Sequence, residues 1–526
     1  MSNSDGPSSG ATRYLVLLGA IIVQMILGTV YGYSIFWQPL KGEIFPQVKT
    51  QAQMAALHAA GQDTGKFTVV ADENEKKTLL SEQEGYLKYA FAICILSFAA
   101  VMVVAGRVQD VKGPRFPAVV GAVLMGCGFI VAGLLNNIFV FYLGHAAFFG
   151  LVAIILLMIY HSLFGKINQE ESPILQYIPQ GIIAAVIVGG ILMGNLYGDH
   201  QTETTKLFML WGTVGFLAGA GIGFAYVCPI AALIKWFPDK KGLVSGLAVA
   251  GFGFGAYLFK GRGLGALGYI EAHGITGFFI VHGLVCLVGI TIGAMLLRNP
   301  PGVVPSKKVI VDSNWQETLK RPAFYVLWLM FFSGALAGLM VIGIVKDFAG
   351  EQLVGAAVAG GRVLEEAVKS EWLAKGAAAV GWLAIFNAIG RIAWGFVSDK
   401  IGRTTAFVAM FVFQAFMLFI LAGLKTELSL AVGASIVGFN FGGNFALFPS
   451  ATADLFGAKN LGANYGWVFT SYGIAGVVGV AAGNVAKVET GSYAAAFMLA
   501  AVLCLISAAL AVALRVAQKR AESAPV

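Results

Sequence analysis

Arg391 lies about two-thirds of the way along an apolar stretch, 378–397, that is long enough to cross a bilayer. An ionised side chain in the bilayer core costs about 2.5–3.5 kcal/mol on insertion scales, so such residues usually face a cavity and serve transport. A guanidinium keeps its charge at any accessible pH and can grip a carboxylate with two parallel hydrogen bonds. Asn387 stands four residues earlier, hence on the same helical face, where its amide can meet a solute or orient the guanidinium. No acid shares this setting: each of the 27 aspartates and glutamates falls in a connection or near a helix boundary. The competing reading has Arg391 snorkel to the inner surface beside Asp399 and merely extend the loop that follows.

The elements that must hold this arginine are membrane helices. Of the 526 residues, 58% are hydrophobic and 12% charged, half the charged fraction of a soluble domain, so lipid is the fitting solvent. The 68 glycines suit close helix packing. Net charge is +8, and its placement relative to the membrane matters more than its size. Cys94, Cys127, Cys228, Cys286 and Cys504 all fall in apolar segments and read as small buried hydrophobes. No nucleophile–base pair, metal cluster or cofactor motif emerges, which argues against an enzyme. GFGFGA (251–256) reads as a close-packing helix face, since no strand precedes it. A removable signal peptide is not expected at the polar start MSNSDGPSSG.

Fourteen apolar stretches are expected to span, near 13–38, 85–106, 116–135, 138–165, 179–198, 207–235, 242–259, 275–297, 322–345, 378–397, 404–423, 428–450, 460–485 and 492–515. Lysines and arginines concentrate in alternate short connections, among them Arg107, Lys112, Arg115, Lys235, Lys240, Lys241, Arg298, Lys400 and Arg403. By the positive-inside rule those connections, and both termini, are cytoplasmic. The chain also repeats itself. GRVQDVKGPR (106–115) recurs as GFVSDKIGR (395–403), pairing Gly106, Asp110, Gly113 and Arg115 with Gly395, Asp399, Gly402 and Arg403. KWFPDKKGL (235–243) recurs more weakly as DLFGAKNLG (454–462), with Lys240 over Lys459. This is the mark of a two-bundle carrier built from parallel repeats. The wider spacing in the first half implies twelve core helices plus an inserted pair at 138–198. Asp110 and Asp399 can accept hydrogen bonds from helix N-termini, and Arg115 and Arg403 can pair with acids across the bundle, so the loops read as a gating clasp or as plain topology determinants.

The doubled G-x-x-x-D-x-x-G-x-R pattern resembles the loop signature of the major facilitator superfamily. Within it, GTVYGYSIF (28–36), GIGFAYVCPIAALIKWFPDKKG (221–242), GLMVIG (338–343), NAIGRIAWGFVSDKIGR (387–403) and NYGWVFTSYGIAG (464–476) resemble the oxalate/formate antiporter family, related to monocarboxylate transporters. The resemblance covers the core helices but neither the insertion nor the two long outer segments. It implies a carboxylate-binding arginine at 391. Related monocarboxylate transporters often carry an aspartate at the position of Asn387, where this chain has a group that cannot titrate. Oxalate-exchanging relatives carry a second cation, a lysine, where Tyr472 stands here. With one buried cation a dianion would be half compensated and costly to desolvate, so the resemblance favours a monocarboxylate. By the same analogy Tyr31, Tyr33, Tyr226, Asn440, Asn444 and Tyr472 line the pore and can hydrogen-bond a small anion, each weighed against plain helix packing. Phe252, Phe254, Phe441 and Phe445 would limit its size. His282 reads as a buried neutral histidine with one hydrogen bond, and Gln24 as a helix–helix contact.

The expected organisation is a cytoplasmic tail (1–12), a first bundle (13–298) with outer loop 39–82, a cytoplasmic linker (299–320), a second bundle (321–517) and a tail (518–526). Loop 39–82 would form a small cap or stay mobile, and 350–377 would hold a surface helix. The function expected is alternating-access transport of a small organic anion such as formate, pyruvate or lactate, by exchange or with a proton, across the plasma (bacterial inner) membrane. Lipid and the anion are the expected partners, without nucleic acid, cofactor or metal, and the chain is expected to work as a monomer. Alternatives are a carboxylate-sensing receptor of transporter shape and a multidrug proton antiporter, which the missing core acids disfavour.

Overall fold

The computed structural model describes residues 9–61, 65–134, 202–259, 265–301, 312–361 and 376–523, with four isolated residues at 153, 181, 184 and 188. Helix α1 (Ser9–Leu27) continues through a 3₁₀ segment, Gly28–Phe36, into α2 (Trp37–Ile44). A small cap follows, with β1 (Gln47–Thr50), α3 (Gln51–Ala59) and β2 (Phe67–Val70). Then come α4 (Glu73–Lys112), α5 (Arg115–Ala132), α6 (Glu203–Leu210), a π-helical stretch Trp211–Leu217, α7 (Ala218–Trp236), α8 (Lys241–Phe259) and α9 (Ala266–Leu296). The second half holds α10 (Trp315–Lys320), α11 (Pro322–Ala359), α12 (Ala377–Ile401), α13 (Arg403–Leu421), α14 (Glu427–Phe456), α15 (Leu461–Thr490) and α16 (Ala494–Ser523).

Among the described residues eleven helices are long and apolar enough to cross a membrane, and the apolar helix Lys241–Gly255 is shorter. All twelve expected core spans are therefore helical; the inserted pair at 138–165 and 179–198 lies outside the described residues. Several helices outrun the apolar stretch that announced them. Helix α4 begins at Glu73 rather than near 85, because Asp72 caps it by accepting from the amides of Asn74 and Glu75, with Glu73 and Glu75 in the first turn. Helix α11 continues to Ala359, into the outer segment, and ends at Gly360 and the positive-φ Gly361. Helix α1 starts within the segment expected as a tail, and α16 runs on to Ser523. Hydropathy finds where lipid is, and these helices continue past it.

Loop 39–82 folds as a cap. Strands β1 and β2 pair in parallel with Gln47 opposite Phe67, and Val48 and Val70 are buried. Lys41 Nζ donates to the Leu80 carbonyl at 3.3 Å, and Lys206 Nζ to the Glu43 carbonyl at 3.2 Å, which tie the cap to the ends of α4 and α6. Partial burial lowers the Lys41 pKa from the usual lysine range, opposed by the nearby Glu84 carboxylate. Cys94, Cys228, Cys286 and Cys504 are buried, but Cys127 is exposed on the outer face of α5, which corrects its reading as a buried hydrophobe. It shares its helix with the exposed Val123, as a lipid-facing residue does.

The two halves meet along two seams, α4 against α15 and α8 against α12. Glycines make both possible. A Cβ on Gly106 would overlap the Gly462 carbonyl, and one on Gly395 would overlap the Gly242 carbonyl, so the backbones touch. Pro229 inside α7 and Pro449 inside α14 stand at matching places in the two halves, a sign of the repeat that the loop motifs alone did not show.

Candidate functional site

Helix α12 is wedged between α8 and α14 at backbone distance. A side chain on Gly246 would strike the Arg391 carbonyl, and one on Gly442 the Asn387 carbonyl. Both neighbours thus come close enough to enclose Arg391, which is fully buried. Its Nε donates to Asn387 Oδ1 at 3.0 Å and its Nη1 to the Val249 carbonyl on α8 at 2.7 Å. Gly253, one turn on, lies against the guanidinium, since a Cβ there would sit 3.4 Å from Arg391 Nε. The third nitrogen, Nη2, is buried without a hydrogen-bond partner. The guanidinium carbon lies 4.4 Å from the Phe445 ring centre and 5.7 Å from that of Phe252, so two ring faces supply diffuse negative potential. Among the described residues no carboxylate pairs with Arg391. Snorkelling to Asp399 is excluded by this geometry, since Asp399 is engaged elsewhere.

Tyr31 and Tyr472 complete the enclosure. Tyr31 stands on the 3₁₀ segment and Tyr472 on α15, and their hydroxyls are 2.8 Å apart. The Tyr31 ring meets Phe252 edge-on at 5.0 Å, and the Tyr472 ring meets Phe445 at 5.5 Å. Each tyrosine is thus seated against one of the two rings that face the guanidinium. Tyr226 joins through Phe252 at 5.3 Å and Phe98 at 5.0 Å, with its hydroxyl buried and unpartnered.

The remaining expected residues are less central. The Tyr33 hydroxyl is directed at the Leu87 carbonyl at 3.4 Å, and its ring packs on Phe36 and Phe91, so the structure does not bring it to Arg391. Asn440 Oδ1 accepts from Trp394 Nε1 at 3.1 Å, leaving Nδ2 unpartnered. Asn444 Nδ2 donates to the Phe441 carbonyl at 3.2 Å while its Oδ1 rests over Gly334. Phe254 is half-exposed and Phe441 packs on Gly338, so neither sizes the site as expected. Gln24 donates to the Tyr226 carbonyl at 2.8 Å, joining α1 to α7. His282 Nε2 lies 3.2 Å from Thr29 Oγ1, which pins the start of the 3₁₀ segment. Sequence reasoning passed over Tyr465, whose buried hydroxyl has no partner, and over Phe98 and Phe469, whose rings pack between the tyrosines. The NYGWVFTSYG stretch pointed toward Tyr465 and Phe469 but not toward Phe98.

One end of the molecule carries a clasp built twice. Asp110 accepts from the amides of Gly462 (3.0 Å) and Ala463 (2.7 Å) at the start of α15. Asp399 accepts from Gly242 (2.9 Å) and Leu243 (2.8 Å) at the start of α8. Each carboxylate meets the positive end of a helix in the other half. These bonds match Gly242 with Gly462, in the same register as Pro229 with Pro449, so the pairing of Lys240 with Lys459 is one residue out of register. Arg403 binds Asp399 at 2.7 Å and Asp454 at 3.0 Å, and Lys241 binds Asp454 at 2.8 Å. Arg115 differs from expectation. Its Nε donates to the Leu297 carbonyl at 2.7 Å, capping the end of α9 instead of pairing with an acid. Gly113 and Gly402 take φ of 81° and 88°, which the turn needs. Among the described residues no three His, Cys, Asp or Glu side chains gather as a metal site requires.

Membrane-length helices in two related halves, meeting around buried polar groups, define a multi-pass membrane carrier. The Major Facilitator Superfamily model matches residues 179–363 and 372–526. The oxalate:formate antiporter of Oxalobacter formigenes is 32% identical over 335 residues, covering 62% of this chain and 72% of that protein. An uncharacterized transporter of Escherichia coli, YhjX, is 31% identical over 305 residues, covering 56% and 70%. Apicoplast pyruvate carrier 1 of Toxoplasma gondii is 29% identical over 350 residues, covering 55% and 62%. A bacterial homologue of the iron transporter ferroportin, solved facing outward, superposes with a TM-score of 0.52 at 16% identity, covering 96% and 99%, and shares the fold. The chain belongs to the Major Facilitator Superfamily, and within it to the oxalate/formate antiporter type; it is a transporter.

Proposed function

We propose that the chain carries small monocarboxylate anions of the formate, pyruvate and lactate type by alternating access, with Arg391 as the carboxylate ligand. The observation that carries this reading is a wholly buried guanidinium that, among the described residues, has no acid beside it and keeps Nη2 without a hydrogen-bond partner. A bound carboxylate would supply the missing counter-charge and accept from Nη2, with Tyr31 and Tyr472 at hand for its second oxygen. The relatives that carry oxalate, formate and pyruvate support an organic anion as cargo. Tyr472 is neutral, so the second charge of a dianion would meet no cation on α15, where no lysine or arginine stands between Lys459 and Lys487. Uptake then runs by anion exchange or with a proton brought by the substrate itself. The termini and the clasp face the cytoplasm, the cap faces outward, and the clasp and the seams open and close in turn.

Counterflow in liposomes tests this. Purified protein reconstituted in vesicles preloaded with unlabelled pyruvate, lactate or formate, with oxalate in a parallel set, should accumulate the labelled form of at least one of the three monocarboxylates transiently above equilibrium. Binding without accumulation would make the protein a sensor, and accumulation of oxalate alone would remove the monocarboxylate preference.

A further inference from the structure

The Tyr31–Tyr472 contact joins the two halves of the carrier at the site itself. Tyr31 belongs to the first half and Tyr472 to the second, and a single hydroxyl–hydroxyl bond of 2.8 Å connects them. Only one other hydrogen bond of the Arg391 cluster among the described residues crosses between halves, from Arg391 to the Val249 carbonyl. The surrounding contacts that cross, Phe98 with Phe469 at 4.8 Å and Tyr226 with Phe469 at 5.4 Å, are ring packing. A carrier whose halves close around a polar site must satisfy the groups it buries. A carboxylate can do so by bridging both halves with its oxygens. The tyrosine hydroxyls achieve the same bridge with each other.

We infer that the Tyr31–Tyr472 hydroxyl bond is a latch that substitutes for the solute, letting the two halves close over Arg391 without cargo and giving the carrier a return path that strict exchange lacks. This rests on the carrier reading above and deepens it, by making these two residues decide the mode of transport. An arriving carboxylate breaks the latch and takes its place as the bridge, held by Arg391. Closure with cargo therefore uses the anion as the bridge, while closure without cargo uses the latch. Each ring stays seated against Phe252 or Phe445 when the hydroxyl is removed, so phenylalanine variants delete the bond and spare the packing.

The test compares net uptake with counterflow in the same liposomes, using labelled pyruvate, lactate and formate, for wild type, Tyr31→Phe, Tyr472→Phe and the double variant. Net uptake into vesicles holding no anion needs the return without cargo, and counterflow does not. In each single variant the ratio of net uptake to counterflow should fall about fivefold, the factor that one hydrogen bond supplies. The double variant should fall no further than either single one, because both remove the same bond. Equal loss of both rates would make the hydroxyls plain substrate ligands and overturn the latch, as would an additive double variant or an unchanged ratio. Wild-type vesicles that exchange none of the three anions would overturn the carrier reading, and the latch with it.

Discussion

The clasp and the centre of this carrier treat buried charge in opposite ways. At the clasp every charge is answered: Asp110 and Asp399 each take two backbone amides, and Arg403 and Lys241 share Asp454. At the centre a single guanidinium is met by an amide, a backbone carbonyl and two phenyl rings, with no acid among the described residues. The clasp is also built twice and the centre once. The offset that places Asp399 over Asp110 places Arg391 over Met102 and Asn387 over Phe98. Duplication thus supplied a symmetric hinge, and divergence in the second half supplied the site. A self-satisfied pair of contacts can open and re-form without cargo, whereas a lone cation has its counter-ion still to bind.

This contrast can be broken at either end. Removing the central charge should have the largest effect: Arg391→Gln is expected to cut transport about a hundredfold or more, the usual cost of deleting one partner of a buried charged pair. Next comes Asn387→Asp, which makes the centre resemble the clasp by placing a carboxylate 3.0 Å from Nε. A carboxylate so placed would pair with the guanidinium and compete with the substrate. Uptake should fall about thirtyfold at pH 7 on the scale of a buried charge pair. It should recover at acid pH, where that carboxyl takes a proton, a dependence that initial rates across the pH range would reveal.

At the clasp, Asp399→Asn weakens two bonds to the α8 amides and leaves Arg403 with Asp454 and the Ser398 hydroxyl, and should lower transport about tenfold. Asp110→Asn should cost less, about threefold to fivefold, because its side-chain partner among the described residues, Lys235, is 3.9 Å away. In both clasp variants the stabilisation of the protein by added substrate should persist, since the centre is untouched. Loss of that response would mean the two regions are coupled more tightly than the geometry implies.

The twelve core spans and the doubled loops were legible in the sequence because hydropathy and repetition report directly on lipid and on internal duplication. Arg391 was legible for a related reason, as the one charge set deep in an apolar stretch. Its surroundings were less so. The Val249 carbonyl is a backbone group on a neighbouring helix, and no residue type announces its bond to Arg391. Tyr33 and Tyr31 are two residues apart and look alike in the sequence, yet the 3₁₀ turn sends one to Tyr472 and the other to Leu87. Tyr465 was missed because a tyrosine near a helix start reads as an interface residue, whereas here it is wholly buried. The extent of α4 and α11 was hidden because caps, and not hydrophobicity, end them.

The central claim is that the charge of Arg391 binds one carboxylate, and a thermal-shift series on the purified protein tests it most directly. Pyruvate, lactate and formate are titrated against wild type and Arg391→Gln, with oxalate alongside. The account requires at least one monocarboxylate to stabilise wild type more than oxalate does, and that stabilisation to vanish in the variant. A response to monocarboxylates that survives the substitution, or a shift with oxalate alone, would contradict it.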